Sequence, residues 1–246
     1  MDGIASNLGS SINAMMEDYV TITHNLANAN TAGFKRNVNS FSAELEKAAG
    51  RRQAANGKGA NDIEINPSRD FSQGSMQQTG RKLDMAIDGS GFFSLETPDG
   101  VRYTRNGQFM INSNGQLTDL HGRMVTSDAG PVIIPENVSE NQISVSADGT
   151  ISANDNQIAR LQVVDFGADV QRLRAVGKNC YEAPDDLQPQ AAEDVRVAQG
   201  CLESSNVDTV SELVQMITVS RFYEAGMRVL SKSGEGKSKL LEVAMA

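Results

Sequence analysis

Residues 24–41, HNLANANTAGFKRNVNSF, decide how the rest of the chain is read. Upstream of them Leu8, Ile12, Met15, Tyr19, Ile22 and Leu26 recur at spacings of four and three, the seam of a helix that pairs with another helix. Asn and Thr then compete for backbone hydrogen bonds, and Gly accepts the left-handed conformation at a helix end, so Asn28 to Gly33 predict a helix stop. Residues 1 to about 29 thus read as one helix, roughly 40 Å long at 1.5 Å per residue. Its seam is narrow, as suits one or two partner helices rather than a broad core. What that helix pairs with is the question the remaining sequence has to answer.

The 246 residues are enough for one large domain or two smaller ones. Aromatic residues make up only 5%, there is no Trp and there are 22 glycines, a composition that favours an elongated or turn-rich body over an enzyme core. A net charge of −9 disfavours sequence-independent nucleic-acid binding, because little cationic surface remains to neutralise phosphates. The pairs Arg51-Arg52 and Arg81-Lys82 read as solvated surface. Cys180 and Cys201 form no CxxC, so neither a zinc ribbon nor a redox motif is indicated, and spacing alone does not decide whether they bridge. No run of about 18 apolar residues is present to span a membrane. The first cationic residue is Lys35, so no basic n-region of a secretory signal is read, and export would need another route.

Residues 42–62 are short of large apolar side chains and read as a loop. From Ile63 to Phe166 the punctuation changes to Asp99-Gly100, Asn106-Gly107, Asn114-Gly115, His121-Gly122 and Asp148-Gly149, which separate short segments such as VRYT, QFMI and ISVS. These dipeptides supply the positive φ values of tight hairpin turns, so an antiparallel meander is expected. IARLQVVDF extends it, and NCYEAP with VRVAQGCLE returns the chain toward its start, across the polar loop PDDLQPQAAED.

A last helix opens at SSNVD, where Ser205 and Asp208 resemble a capping box with Asp in place of Glu. Two registers remain open for its seam. One runs Val210, Leu213, Ile217, Ser220, Glu224, Met227 and Ser231; the other, more apolar, runs Val210, Leu213, Val214, Ile217, Phe222, Met227 and Leu230. The fold class expected is α+β: N- and C-terminal helices paired as a coiled coil, with an elongated antiparallel β domain between them. The boundaries are 1–35 for the first helix, 36–75 for an extended connector, 76–203 for the β domain and 204–246 for the last helix.

No catalytic constellation emerges. Gly234 to Ser238, GEGKS, lacks the first glycine of a phosphate-binding loop, where Ser231 stands, and only eight residues follow it. It reads instead as a frayed or broken helix end, since two glycines cost about 2 kcal/mol relative to alanines. DGSGFF, 88–93, lacks the third glycine of a dinucleotide fingerprint and leads into a strand, so it is a turn. His24 is expected beside the helix seam and His121 at a hairpin, and they assemble no triad or metal site. Enzyme activity, a cofactor, a metal and a small-molecule substrate are not expected.

Four blocks in order carry a resemblance. HNLANANTAGFKRN holds Asn25, Leu26, Ala27, Asn28, Asn30, Thr31, Gly33, Phe34 and Lys35 of an NNLANxxTxGFK pattern. DFSQGSMQQTGRKLDMAIDGSGFF at 70–93 holds Leu83, Asp84, Gly89, Gly91 and Phe92. YTRNGQF at 103–109 holds Tyr103, Thr104, Arg105, Gly107 and Phe109, and SNVDTVSELVQMITVSRFYEA at 205–225 holds Ser205, Asn206, Val207, Tyr223 and Glu224. Together they resemble the flagellar basal-body rod and hook family over nearly the whole chain. The resemblance is strongest to the proximal rod members, with distal rod members second.

That resemblance implies an axial protein of the bacterial flagellum with terminal helices in an inner tube and the β domain outside it. It implies as partners copies of the chain, other rod proteins and the flagellar type III export apparatus, and as location the basal-body rod in the periplasm, reached without a cleaved signal. The helix seams then become assembly interfaces, Leu8 to Leu26 on one side and Val210, Leu213, Ile217, Met227 and Leu230 on the other. Two departures stand out: SKSGEGKSK replaces the usual continuation of the last helix, and Arg81-Lys82-Leu83 replaces Asn-Pro-Leu, so that turn lacks a proline to preset φ. A non-axial helical adaptor, holding one partner in solution, is the competing reading from another class.

Overall fold

The computed structural model describes residues 2–39, 68–154, 156–192 and 195–244, with α-helical side chains described at position 9, from Ser11 onward and as far as Lys232. The chain divides into a helical unit, 1–27, 37–70 and 207–246, and a β unit, 28–36 and 71–206. Arg51-Arg52, the segment 42–62 and the Leu8 side chain lie outside the described residues.

In the helical unit α1 is Asp2–Ala27, and β1, Asn37–Val38, pairs antiparallel with β2, Ser68–Arg69. α2 is Thr209–Ala244. The two helices touch in opposite order along their lengths: Asn25 Nδ2 lies 3.4 Å from Glu212 Oε2, and a Cβ at Gly226 would sit 3.3 Å from Ile12 Cγ1. They are therefore an antiparallel pair. At Gly226 the helices pack closely, and an added side chain would press on Ile12.

The start of α2 differs from the SSNVD reading. Asp208 itself is the cap: its carboxylate accepts the amides of Val210 at 3.0 Å and Ser211 at 3.3 Å, and the Ser211 hydroxyl at 2.9 Å. The Ser211 hydroxyl and these amides hold the Asp208 carboxyl below the usual carboxylate range. Its contribution is complete above about pH 4, where an unfolded Asp is ionised, and is lost as pH falls through the depressed folded value. Asp208→Ala should accelerate amide exchange at Val210 and Ser211 at neutral pH, and unchanged exchange would remove Asp208 as the cap.

At its other end α2 runs unbroken through Gly234 and Gly236 to Ala244, so the expected break at GEGKS does not occur. The flanking Lys, Leu, Glu and Ala are strong helix formers, and a cost of about 2 kcal/mol is too small to interrupt a helix already nucleated on both sides.

The β unit begins with β3, Met76–Gln78, β4, Met85–Asp88, β5, Phe92–Thr97, and β6, Gly100–Thr104. There follow β7, Phe109–Ile111, β8, Leu117–Asp119, β9, Met124–Ser127, and β10, Gly130–Pro131. β11, Ile143–Val145, β12, Thr150–Ala153, and β13, Asn156–Arg160, form a sheet of their own. Then come β14, Val163–Asp165, β15, Arg174–Gly177, β16, Cys180–Glu182, and β17, Gln190–Ala191. β18, Arg196–Gln199, and β19, Cys201–Glu203, close the unit by pairing with β4 and β3.

The main sheet is antiparallel and runs β15-β16-β6-β5-β9-β8-β7, with β10 on β9 and β14 joining β5 to β17. Four of the five expected turns are hairpins, and Gly100, Gly115, Gly122 and Gly149 all have positive φ. Asn106-Gly107 is not one: it lies between β6 and β7, strands that do not pair. The meander is also interrupted, because β5 pairs with β9 rather than with β7.

Alternation on β4, β5, β7, β8 and β9 fills one core with Leu83, Met85, Ile87, Phe93, Leu95, Phe109, Leu117 and Val125. A second cluster joins Phe92, Tyr103, Phe166 and Tyr181, with ring centroids 4.9–6.0 Å apart in edge contacts. Without proline, the 81–84 turn closes through Asp84 N to Arg81 O at 3.2 Å. Arg81 and Lys82 are exposed, as expected of a basic pair at the surface, and the Arg81 guanidinium donates to Asp84 Oδ1 at 3.1 Å and to Phe109 O at 2.9 Å, while Leu83 is fully buried.

Candidate functional site

Three ionisable side chains from three separate sequence blocks meet inside the β unit. Lys35 and Glu203 are each 1% exposed and Arg105 is 4% exposed. Lys35 Nζ donates to Glu203 Oε1 at 2.6 Å and to Ser72 O at 2.6 Å, and Arg105 Nη1 donates to Glu203 Oε2 at 3.2 Å. The Gly74 amide adds a bond to Glu203 Oε1 at 2.9 Å, and Arg105 Nη2 donates to Gly89 O at 2.8 Å. The Arg105 guanidinium also stands over the Phe92 ring, 5.3 Å from its centroid. Burial pulls the Arg105 pKa down from its ordinary value, and Glu203 opposes that shift.

Removing charges from water is costly unless they are paired, and here one carboxylate serves two cations. The backbone around it is laced to match. The Gly33 amide donates to Glu203 O at 2.7 Å, the Arg36 amide to Asn206 Oδ1 at 2.8 Å, and Asn206 Nδ2 to Ser72 O at 3.2 Å. Gly33 has φ +66°, and a Cβ there would lie 2.4 Å from the Arg105 carbonyl carbon. This glycine is not the cap of α1, which ends six residues earlier; it lets the chain pass directly against the strand-end backbone of Arg105. The cluster thus fastens 33–36 to 203–206, the segments that lead to β1 and α2.

A second polar cluster lies inside the helical unit. Buried Asn25 exchanges two 2.9 Å bonds with the Asn37 backbone, Nδ2 to Asn37 O and Asn37 N to Oδ1, besides reaching Glu212 on α2. Asn39 bonds Asp18 at 2.7 Å and accepts from the Thr21 hydroxyl at 3.0 Å. Asn25 is therefore helical and binds a neighbouring strand, whereas Asn28 closes the turn after α1 by accepting the Thr31 amide at 3.0 Å.

Of the seam residues, Ile12 and Ile22 are buried, and Met15, Leu26 and Leu230 are half-buried. Tyr19, Val210, Leu213, Ile217 and Met227 are exposed in the single chain, Val210 by 70% and Ile217 by 54%. Among the family-pattern residues Phe34, Asp84, Phe92, Tyr103, Thr104, Phe109 and Val207 are buried; Asn30, Ala27 and Glu224 are exposed. Gly89 and Gly91 take φ of +110° and +136° in the turn before β5. His24 is exposed with Nδ1 2.9 Å from Asn37 Nδ2, and His121 lies in the β8–β9 turn. Cys180 and Cys201 are free thiols, and burial pushes the Cys180 thiol up.

The sequence reading missed Glu203, the hub of the ion cluster. The only signal is conditional: Lys35 and Arg105, cations in patterned blocks, would need an anion if both were buried, and Glu203 directly precedes the SSNVD block, but no local pattern shows the burial.

Arg105 and Glu203 of the cluster lie in stretches that match known family models. Residues 86–153 match the model of the flagellar hook protein FlgE/F/G D1 domain, and 198–242 match the flagellar basal body rod FlgEFG protein C-terminal model. The chain is 33% identical over 241 residues to the flagellar basal-body rod protein FlgF of Escherichia coli K12, covering 93% of this chain and 92% of that protein. The chain belongs to the flagellar basal-body rod family. It is also 32% identical to FlgF of Caulobacter vibrioides, with 87% and 86% covered, and 30% identical to the rod protein FlgG of Buchnera aphidicola, with 90% and 92% covered. Lys35, Arg105 and Glu203 thus form the buried anchor of a rod-family protein. Among the described residues no group of His, Cys, Asp and Glu could hold a metal, and no helix is long and apolar enough to cross a membrane.

Proposed function

We propose that this chain is a structural subunit of the bacterial flagellar basal-body rod, assembling with copies of itself and with other rod proteins into the shaft that transmits torque. The observation that carries this reading is similarity along nine-tenths of the chain to proteins named as basal-body rod proteins. The helices supply the physical means. The seam of α1 meets α2 at Ile12, while Val210, Leu213, Ile217 and Met227 keep an apolar face for neighbouring subunits. In this reading the terminal helices form a coiled coil in the innermost layer, the position is proximal as for FlgF, and the chain reaches the periplasm through the type III export apparatus without cleavage. Repeated head-to-tail contacts that do not close then build a filament.

Because Ile217 is exposed in the single chain, Ile217→Asp leaves the monomer's fold and melting temperature unchanged. It places a charge in the subunit interface and abolishes incorporation into rods and motility. Circular dichroism of the purified variant together with its recovery in isolated basal bodies checks both halves. Rods that incorporate the variant at the parent's level would remove this face from the interface.

A further inference from the structure

A cavity of about 350 Å³ in the β unit is lined by Phe71, Ser90, Phe92, Arg105, Asp165 and Val170, among others. Its polar groups are arranged unequally. Arg105 spends Nη1 and Nη2 on Glu203 and backbone carbonyls, but its buried Nε has no hydrogen-bond partner among the described residues. Asp165 is held in place by the Phe166 amide at 2.7 Å, the Gly167 amide at 3.3 Å and the Ser90 hydroxyl at 2.8 Å. Both amides are accepted by Oδ1 and the hydroxyl alone by Oδ2, so one acceptor site remains on Oδ2. Phe71 and Phe92 meet edge to face at 5.7 Å and provide an apolar wall.

A buried donor left unpaired is costly, and the space beside it has room for more than one water. A carboxylate would satisfy Arg105 but be repelled by Asp165; an ammonium would satisfy Asp165 but be repelled by Arg105. A neutral group that accepts at one end and donates at the other meets both demands. We propose that this cavity binds a primary carboxamide, its oxygen accepting from Arg105 Nε–H and its NH₂ donating to Asp165, with the attached methylenes against Phe71 and Phe92. The proposal does not depend on the rod role, since it concerns the single chain.

Isotope-labelled full-length chain titrated with propionamide, propionate and propylamine tests it through the Arg105 Nε–H magnetic-resonance signal. Propionamide is expected to move that signal saturably, with a response at least fivefold larger than either charged analogue gives at equal concentration. No saturable response, as for a cavity holding water only, or equal responses to all three, would overturn the proposal. In Asp165→Asn the side-chain oxygen still accepts the Phe166 and Gly167 amides while the new NH₂ repels a carboxamide's donors. That variant is expected to keep its circular-dichroism spectrum, lose at least fivefold in propionamide affinity and gain a response to propionate; unchanged selectivity would overturn the assignment to Asp165. N-acetylglutamine N-methylamide and free glutamine separate the sources. A response confined to the capped compound assigns a Gln or Asn side chain of another protein, and a stronger response to free glutamine assigns a free amide; silence from both would overturn the proposal.

Discussion

Glu203→Ala is expected to destabilise the β unit by about 3–5 kcal/mol, the cost of leaving buried cations without their counterion. The alanine removes both carboxylate oxygens that Lys35 and Arg105 share, and with them the acceptor of the Gly74 amide. Lys35 keeps Ser72 O and Arg105 keeps Gly89 O, yet neither carbonyl carries a charge to offset the burial. Lys35→Met is the informative comparison. It removes one buried charge but leaves Glu203 paired with Arg105, so its loss should be smaller than that of Glu203→Ala. Urea unfolding of both variants measures the order. If Lys35→Met were the more damaging, Glu203 would not be the hub.

Gly107→Ala should be as severe for a different reason. A Cβ at Gly107 would lie 1.5 Å from Met85 O and 2.6 Å from Met85 C, so backbone, not a flexible side chain, must move. The Met85 amide donates to Gly107 O at 3.0 Å, and Met85 itself is fully buried, so that movement would disrupt both a hydrogen bond and the core. The expected loss is about 4 kcal/mol or more, or failure to fold. Gly122→Ala is the control: its φ is +79° but nothing lies within 4 Å of the added carbon, so only backbone strain of about 1–2 kcal/mol is expected. Denaturant unfolding of the pair distinguishes steric exclusion from strain, and equal losses would contradict the close approach at Gly107.

These two positions also show what could be read from sequence. Asn114-Gly115 and His121-Gly122 announced hairpins because a tight turn is a local object, complete within a few residues. Asn106-Gly107 looked the same but owes its glycine to Met85, more than twenty residues earlier, and local pattern carries no trace of that contact. The helices were legible from their periodicity. Their ends were less so: Asp208, not Ser205, caps α2, and two glycines near its end failed to stop it because continuation depends on the summed propensity of their neighbours.

Lys35 and Arg105 were visible as members of patterned blocks, but nothing in either block told that they are buried or that they share Glu203. A buried ion cluster is a tertiary object assembled from separated segments, and its members carry the composition of ordinary surface residues. Arg81 and Lys82 are exposed, as a solvated basic pair should be, though the Arg81 guanidinium also reaches Phe109 O, a contact that the pair does not announce. The exposed apolar residues of α2 followed from the periodic seam, whereas which of its turns meet α1 depends on the packing of Gly226 against Ile12.

The most direct measurement of the central reading is the protein's place in purified basal bodies, by quantitative mass spectrometry joined to density of the rod. The account predicts the chain within the shaft in fixed proportion to the other rod proteins, its two long helices innermost, at the proximal level. Its absence from intact basal bodies of motile cells that express it would contradict the structural role and leave the adaptor as the better reading.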